Sequence, residues 1–240
     1  MVKPLIWQRM LSVRPTRNLK YGEIVRVAME IADKEGLTGV SMRSVAGKLK
    51  AGTMSLYRYV TGKDELLDLL LDAAYGEIRL PSMPSGDWQR DVARVARETR
   101  RVLKGHPWLA PLVTARPTLG PNYLGWFEFL LAATAKPGRD MRTQVRMVGT
   151  VWAYVTGFVG YEIGEMETTR RHGLTEKRKR ELAAPYVEQL LATGKFPNLA
   201  RFLDAGGHEP TEEAFQFGLE AVLAGIGLHQ ADTIELMARA

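Results

Sequence analysis

The chain of 240 residues has no cysteine. That absence excludes disulfides, thiol catalysis and Cys-ligated zinc or iron–sulfur sites. Histidine is nearly as scarce: His106, His172, His208 and His229 show no paired metal-ligand spacing. No apolar run approaches the ~18 residues needed to span a bilayer. The first 20 residues lack a continuous apolar core and carry Lys3, Arg9, Arg14, Arg17 and Lys20, so they do not read as a secretion signal. No nucleophile–base pair, glycine-rich phosphate loop or dinucleotide fingerprint occurs. Neither a metal nor another cofactor is expected, enzymatic activity has no support, and a cytoplasmic location is the expectation.

What is present is charge, placed unevenly. Net charge is +6 and the pI is about 9.5, which points to a polyanionic partner. Residues 1–64 hold 12 Lys+Arg against 5 Asp+Glu, whereas residues 65–240 hold 21 against 22. The whole excess therefore lies in the first quarter of the chain. A basic N-terminal module on a neutral body is the first functional clue.

The hydrophobic pattern is helical throughout, with no useful period-2 run and no internal repeat. Residues 1–20 contain Pro4 and Pro15, lack sustained periodicity and read as a basic arm. Arg9, Arg14 and Arg17 fit either a solvated tail or an arm in a minor groove. Ile24, Val27, Ala28, Ile31 and Ala32 form one helical face, which Gly36 stops. Ser41 can cap a short helix with Met42, Val45, Ala46 and Leu49 inside. After the turn Lys50-Ala51-Gly52 comes a short segment, Thr53 to Val60, and then a helix from Lys63 to Ile78. Pro81, Pro84, Ser85 and Gly86 mark a linker. The reading is all-α: an arm over 1–20, a module with its connecting helix over 21–80, and a helical body over 86–240.

Two short helices joined by a tight turn describe a helix-turn-helix. A short helix fits the ~12 Å major groove, and its first turn can present polar side chains to base edges. Here that turn is Thr53-Met54-Ser55, with Leu56 and Val60 facing inward. Tyr57, Tyr59 and Lys63 are residue types that clamp phosphate oxygens. Arg43, on the preceding helix, can reach a guanine edge or a phosphate. Each has a plainer reading: Tyr57 as a core aromatic, Arg58 as a solvated cation, Met54 as a residue buried against the first helix. For Lys63 the phosphate reading is favoured, because a cation at a helix N-terminus gains nothing from the dipole.

The run Ser41-Met-Arg-Ser-Val-Ala-Gly-Lys-Leu followed by Thr53-Met-Ser-Leu-Tyr-Arg-Tyr-Val-Thr-Gly-Lys-Asp-Glu-Leu resembles the DNA-binding domain of tetracycline-repressor (TetR) family regulators. The resemblance is strong over about residues 20–70 and looser beyond. It implies base contacts from Arg43, Thr53, Met54, Ser55 and Arg58, and phosphate contacts from Tyr57, Tyr59 and Lys63. The chain departs from the pattern at Lys50, where such proteins usually place glycine. A left-handed non-glycine residue there costs roughly 1–2 kcal/mol.

In the resembled family the body is a helical bundle for dimerisation and ligand binding, and features of this body fit. Ala214, Gly218, Ala221 and Gly225 recur at intervals of 4, 3 and 4 on the last helix, a seam suited to a second subunit or to packing within the chain. The middle of the body is rich in aromatics. Asn122 and Trp126, with His106, Gln144 and Thr150, are the candidate pocket residues, whereas Trp152 shares a valine stripe and reads as core. The run Glu176 to Glu181 reads as a solvated helix face. Glu162, Glu165 and Glu167 carry only a faint Mg²⁺ signal.

Together these features predict a ligand-responsive transcriptional repressor. It would bind a palindromic operator in double-stranded DNA as a homodimer, and an apolar or aromatic small molecule would release it. Two rivals stay open: a sequence-tolerant DNA-coating protein, and an α-helical enzyme with a vestigial basic module. The effector, the operator and the sign of the response are not legible.

Overall fold

The computed structural model describes residues 5–12, 20–116, 118–173, 176–206 and 211–238, and every regular element among them is helical. In α2 (Tyr21–Gly39) the buried stripe is the one the periodicity predicts: Ile24, Val27, Ala28, Ile31 and Ala32. Gly36 breaks this helix at φ +69°, a left-handed conformation open to glycine. In α3 (Met42–Lys48) the Ser41 hydroxyl accepts from the Ser44 amide at 3.0 Å, while the Ser41 amide donates to the Ser44 hydroxyl at 2.9 Å. That reciprocal cap satisfies two amides that the first turn would otherwise leave open.

The end of α3 is equally well defined. The Ala51 amide donates to the Ala46 carbonyl and the Lys50 amide to the Gly47 carbonyl, a Schellman turn. Lys50 is its left-handed residue, at φ +51°, and among the described residues no other non-glycine has positive φ. The chain then enters α4 (Thr53–Tyr57), which ends before the Val60 limit of the expected segment, with Leu56 and Val60 fully buried beneath it. Next comes α5 (Lys63–Gly76), which buries Leu66, Leu67, Leu70 and Leu71.

The arm differs from its expectation. Residues Ile6–Ser12 form a helix, α1, whose Ile6 is buried and whose Arg9 pairs with Glu65 of α5. Ile6, Trp7 and Met10 supply the apolar surface that holds these two turns against the head. Arg14 and Arg17 lie outside the described residues.

The body comprises α6 (Trp88–Gly105), a 3₁₀ turn (Pro107–Leu109), α7 (Ala110–Ala115), α8 (Pro121–Thr134), α9 (Met141–His172), α10 (Glu176–Ala192), α11 (Pro197–Asp204) and α12 (Glu212–Ala238). The long α9 packs against α6, α8 and α12. Connecting helix α5 packs on α2 and on α8, so one hydrophobic core runs through head and body without a break.

One buried ionic cluster ties three body helices. Arg100 of α6 donates to both carboxylate oxygens of Glu162 on α9, at 2.8 and 2.7 Å, and Lys104 adds a bond at 2.8 Å. Arg100 also pairs with Glu212, and its guanidinium lies 4.4 Å from the Phe215 ring centre on α12. Burial opposes ionisation of Glu162, but the bonds from Arg100 and Lys104 outweigh it and hold its pKa below the usual value. Glu165 pairs with Lys179 of α10. These carboxylates therefore serve helix packing, and among the described residues no group of three His, Cys, Asp or Glu side chains is placed to hold a metal ion.

Candidate DNA-binding surface and ligand cavity

The head presents its cations selectively. Arg9 pairs with Glu65, and Arg26 and Lys48 both pair with Glu30. Arg43 on α3 and Arg58, capping the end of α4, are exposed and form no ion pair with another described residue. Between them the first turn of α4 is open: Met54 is 79% exposed, Thr53 and Ser55 are partly exposed, and Tyr57 is 43% exposed. Exposure rules out burial of Met54 and Tyr57 in the core. The Lys63 ammonium donates to the Leu37 carbonyl at 2.8 Å, which fixes it across the end of α2, and it forms no ion pair with another described residue.

Tyr59 is placed differently from its expected phosphate role. Its side chain is 3% exposed, and its ring meets the Tyr21 ring edge-on at 5.3 Å. The Tyr21 hydroxyl in turn donates to the Tyr59 carbonyl at 3.2 Å. The residue two beyond Tyr57 on a short helix turns back toward α2, so Tyr59 holds α4 in place from beneath.

In the body, a small cavity of about 20 Å³ lies between α6, α8 and α9. Five valines, Val92, Val95, Val148, Val151 and Val155, line it with Leu130 and the rings of Trp126 and Trp152. A second space, about 10 Å³, lies between α5, α6 and the 3₁₀ turn, and Thr99 and Trp152 border both. Across that partition the Trp152 ring stacks on Tyr75 of α5 at 6.1 Å, and Tyr75 meets Trp126 at 5.4 Å. Burial drives the Tyr75 hydroxyl well above its ordinary pKa, so it stays neutral. The aromatic cluster thus reaches from the body cavity to the helix that carries the head.

This architecture has relatives. The family profile "Tetracyclin repressor-like, C-terminal domain" matches residues 80–229. The HTH-type transcriptional repressor DrrR1 of Streptomyces coeruleorubidus is 37% identical over 225 residues, covering 92% of this chain and 83% of its own. The chain belongs to the tetracycline-repressor family. An HTH-type transcriptional regulator of Saccharopolyspora erythraea is 39% identical over 183 residues, 75% of each chain. Among solved structures, TetR-family ActR of Streptomyces coelicolor superposes with a TM-score of 0.72 at 29% identity, covering 88% of this chain and 96% of that one. The same protein in complex with actinorhodin gives 0.71 at 28% identity, over the same shares. As in that family, a helix-turn-helix head precedes an all-helical body; among the described residues no helix is long and apolar enough to cross a membrane.

Within this TetR-type body the expected pocket residues scatter. Trp126 lines the cavity. Asn122 does not: its amide nitrogen donates to the Asp72 carboxylate and carbonyl, both at 3.1 Å, joining α8 to α5. His106 sits between head and body, its ring nitrogens facing Asp33 at 2.6 Å and Glu77 at 3.0 Å. Gln144 is buried at the start of α9 against the Arg139 carbonyl, and Thr150 is exposed, bonding back to Arg146. Polarity drew attention to these four, and each polar group is already used in packing or capping. Trp152 packs against the core as its valine stripe predicts, and it also borders the cavity with Val148, Val155 and Thr99, the last hidden on the inner face of a basic helix.

The seam on α12 divides. A Cβ on Gly218 would stand 2.3 Å from the Tyr154 hydroxyl, so its smallness serves packing within the chain. Ala214 is half-buried, whereas Ala221 and Gly225 are exposed beside Phe217, 77% exposed, and Leu228. On α9 a second exposed row, Gly149, Ala153, Gly157, Gly160 and Gly164, repeats the same 4-and-3 spacing. That spacing is legible in the sequence, interleaved with the aromatics Trp152, Tyr154, Phe158 and Tyr161.

Proposed function

We propose that this TetR-family protein is a ligand-responsive transcriptional repressor that binds a palindromic operator as a homodimer and is released by an apolar or aromatic small molecule. One observation carries the reading: α5, which packs against the head's α2, sets its Tyr75 ring on Trp152 and Trp126 of the aromatic-lined body cavity, so one helix links that cavity to the open, cationic recognition surface. Arg43, Thr53, Met54, Ser55 and Arg58 are assigned to base edges, and Tyr57 and Lys63 to phosphates. One short helix buries too little to bind tightly alone, so two heads joined by a twofold axis read half-sites about 34–36 Å apart. The exposed rows on α9 and α12, with Phe217 and Leu228, are the faces assigned to the partner copy. The names of DrrR1, a repressor, and of ActR complexed with actinorhodin support both halves of the reading.

Release follows from differential affinity. A ligand that favours a displaced Trp152–Tyr75 pair favours a shifted α5, and with it head positions that no longer match both half-sites. Selection of bound fragments from random duplex DNA should enrich an inverted repeat, and a compound screen should find molecules that lower affinity for it. Equal affinity for enriched and random DNA would mean a DNA-coating protein instead. A Phe217→Arg change should leave a monomer with weakened operator binding; a dimer of undiminished affinity would remove α12 from the interface.

A further inference from the structure

Resting on the operator-binding reading, we infer that His106 is a positioning residue for the head: as an imidazolium it latches Asp33 to Glu77, and operator affinity falls when it gives up its proton. The three residues come from separate parts of the molecule. Asp33 lies on α2 of the head, Glu77 caps the C-terminal end of α5, and His106 caps the C-terminal end of the body helix α6.

The geometry is that of the doubly protonated ring. Nδ1 stands 2.6 Å from Asp33 Oδ1, and Nε2 stands 3.0 Å from Glu77 Oε2. A neutral imidazole carries one N–H, so it donates to one carboxylate and turns a lone pair on the other. Imidazolium donates to both. Its place at the end of α6 favours the cation as well, because the last carbonyls of a helix carry partial negative charge. The ring has little room to swing. Its centre lies 5.7 Å from that of Trp108, whose indole N–H donates to the same Asp33 oxygen at 2.6 Å.

Each element packed around the ring contributes to its electrostatics. Burial opposes the cation, and the carboxylates of Asp33 from α2 and Glu77 from α5 outweigh that opposition. The 3₁₀ turn contributes the neutral Trp108. On α6, Arg101 donates to the Glu77 main-chain carbonyl at 2.7 Å and pairs with Glu98, while Lys104 pairs with Glu162 of α9.

Loss of the proton leaves one of the two ties unmade, so the head is held to the body by fewer bonds. A head already fixed in place binds without a further ordering cost, and a loosened one incurs that cost on binding. The penalty falls on a twofold operator, whose half-sites demand a set separation. It falls far less on random duplex, which imposes none.

The test uses the full-length protein and the inverted repeat enriched from random DNA, with anisotropy measured from pH 6 to 9 at constant ionic strength. The ratio of affinities for the repeat and for random duplex should fall about two- to fivefold per subunit across the His106 titration, the worth of one partly exposed ion pair. His106→Gln, which keeps one donor, should remove that step, and Asp33→Asn should move it to lower pH. In the free wild-type protein, NMR should show the His106 ring titrating above the unperturbed histidine value of about 6.5. A ratio that is flat or rises with pH, an equal step in His106→Gln, or a ring that titrates at or below the unperturbed value overturns the latch. Each of those results leaves the operator-binding reading standing while the repeat outcompetes random duplex; failure of that competition at every pH overturns both.

Discussion

The carboxylate of Asp72, on α5, accepts the Tyr123 amide at 3.0 Å and so closes the N-terminus of α8 from a different helix. Asn122 adds side-chain and backbone donors to the same group. Gly120 makes the approach possible: a Cβ there would lie 2.1 Å from Asp72 Oδ1. Burial pushes the Asp72 carboxyl above its ordinary pKa, against the bonds from Tyr123 and Asn122 that favour the anion. Asp72→Ala should cost about 1–3 kcal/mol in urea unfolding, since it strands amides that the cap now satisfies. Gly120→Ala should destabilise as well, by forcing the carboxylate off the helix end. An unchanged midpoint for both would show that α8 does not depend on this tie.

Lys50 should be improvable. Its φ of +51° is strained for a side chain and easy for glycine. Lys50→Gly is expected to raise stability by up to about 1 kcal/mol, net of the entropy glycine adds to the unfolded chain. Because the turn geometry is preserved, specific DNA affinity should change little beyond the loss of one charge. A lowered unfolding midpoint would contradict the strain.

The two tyrosines flanking Arg58 should separate cleanly. Tyr57→Phe removes an exposed hydroxyl and should weaken binding to all duplexes similarly, whereas Tyr59→Phe should leave DNA binding unaltered. Tyr59→Ala opens the core beneath α4 and should cost about 3–5 kcal/mol of stability. Arg58→Ala should relax specificity at one base position, and Lys63→Ala should lower the salt slope by about one. Anisotropy titrations across a salt series distinguish these outcomes.

Stability should decline on the alkaline side of neutrality through His106. Burial works against its cationic form, yet Asp33 and Glu77, one on each ring nitrogen, prevail and raise its pKa. A raised histidine contributes fully below its unfolded value of about 6.5 and loses that contribution as pH climbs through the folded value. Unfolding followed from pH 6 to 9 should show this decline, and His106→Gln should flatten it. Glu162 behaves oppositely: its lowered pKa makes the Arg100 cluster fail only as acid protonates it, below about pH 4.5.

The head was legible because its signals are local. Caps, the stop at Gly36 and the turn at Lys50 depend on residues within a few positions of one another, and the structure places Leu56 and Val60 inward as the spacing predicts. Tyr59 was misread because its partner, Tyr21, lies 38 residues away. The cavity was harder for the same reason. Thr99, Trp126 and Trp152 belong to three helices, and no periodicity records that they meet. Polar residues such as Asn122 and His106 stood out in the sequence, and those bonds are made to α5 and α2.

The partition between the two body spaces is one layer of side chains thick, since Thr99 and Trp152 border both. Close-packed interiors yield by displacement rather than by compression. A space of about 20 Å³ holds little more than a water molecule. Under the proposed reading, an organic effector entering there would have to push Trp152 toward Tyr75, so its girth would set how far α5 is displaced.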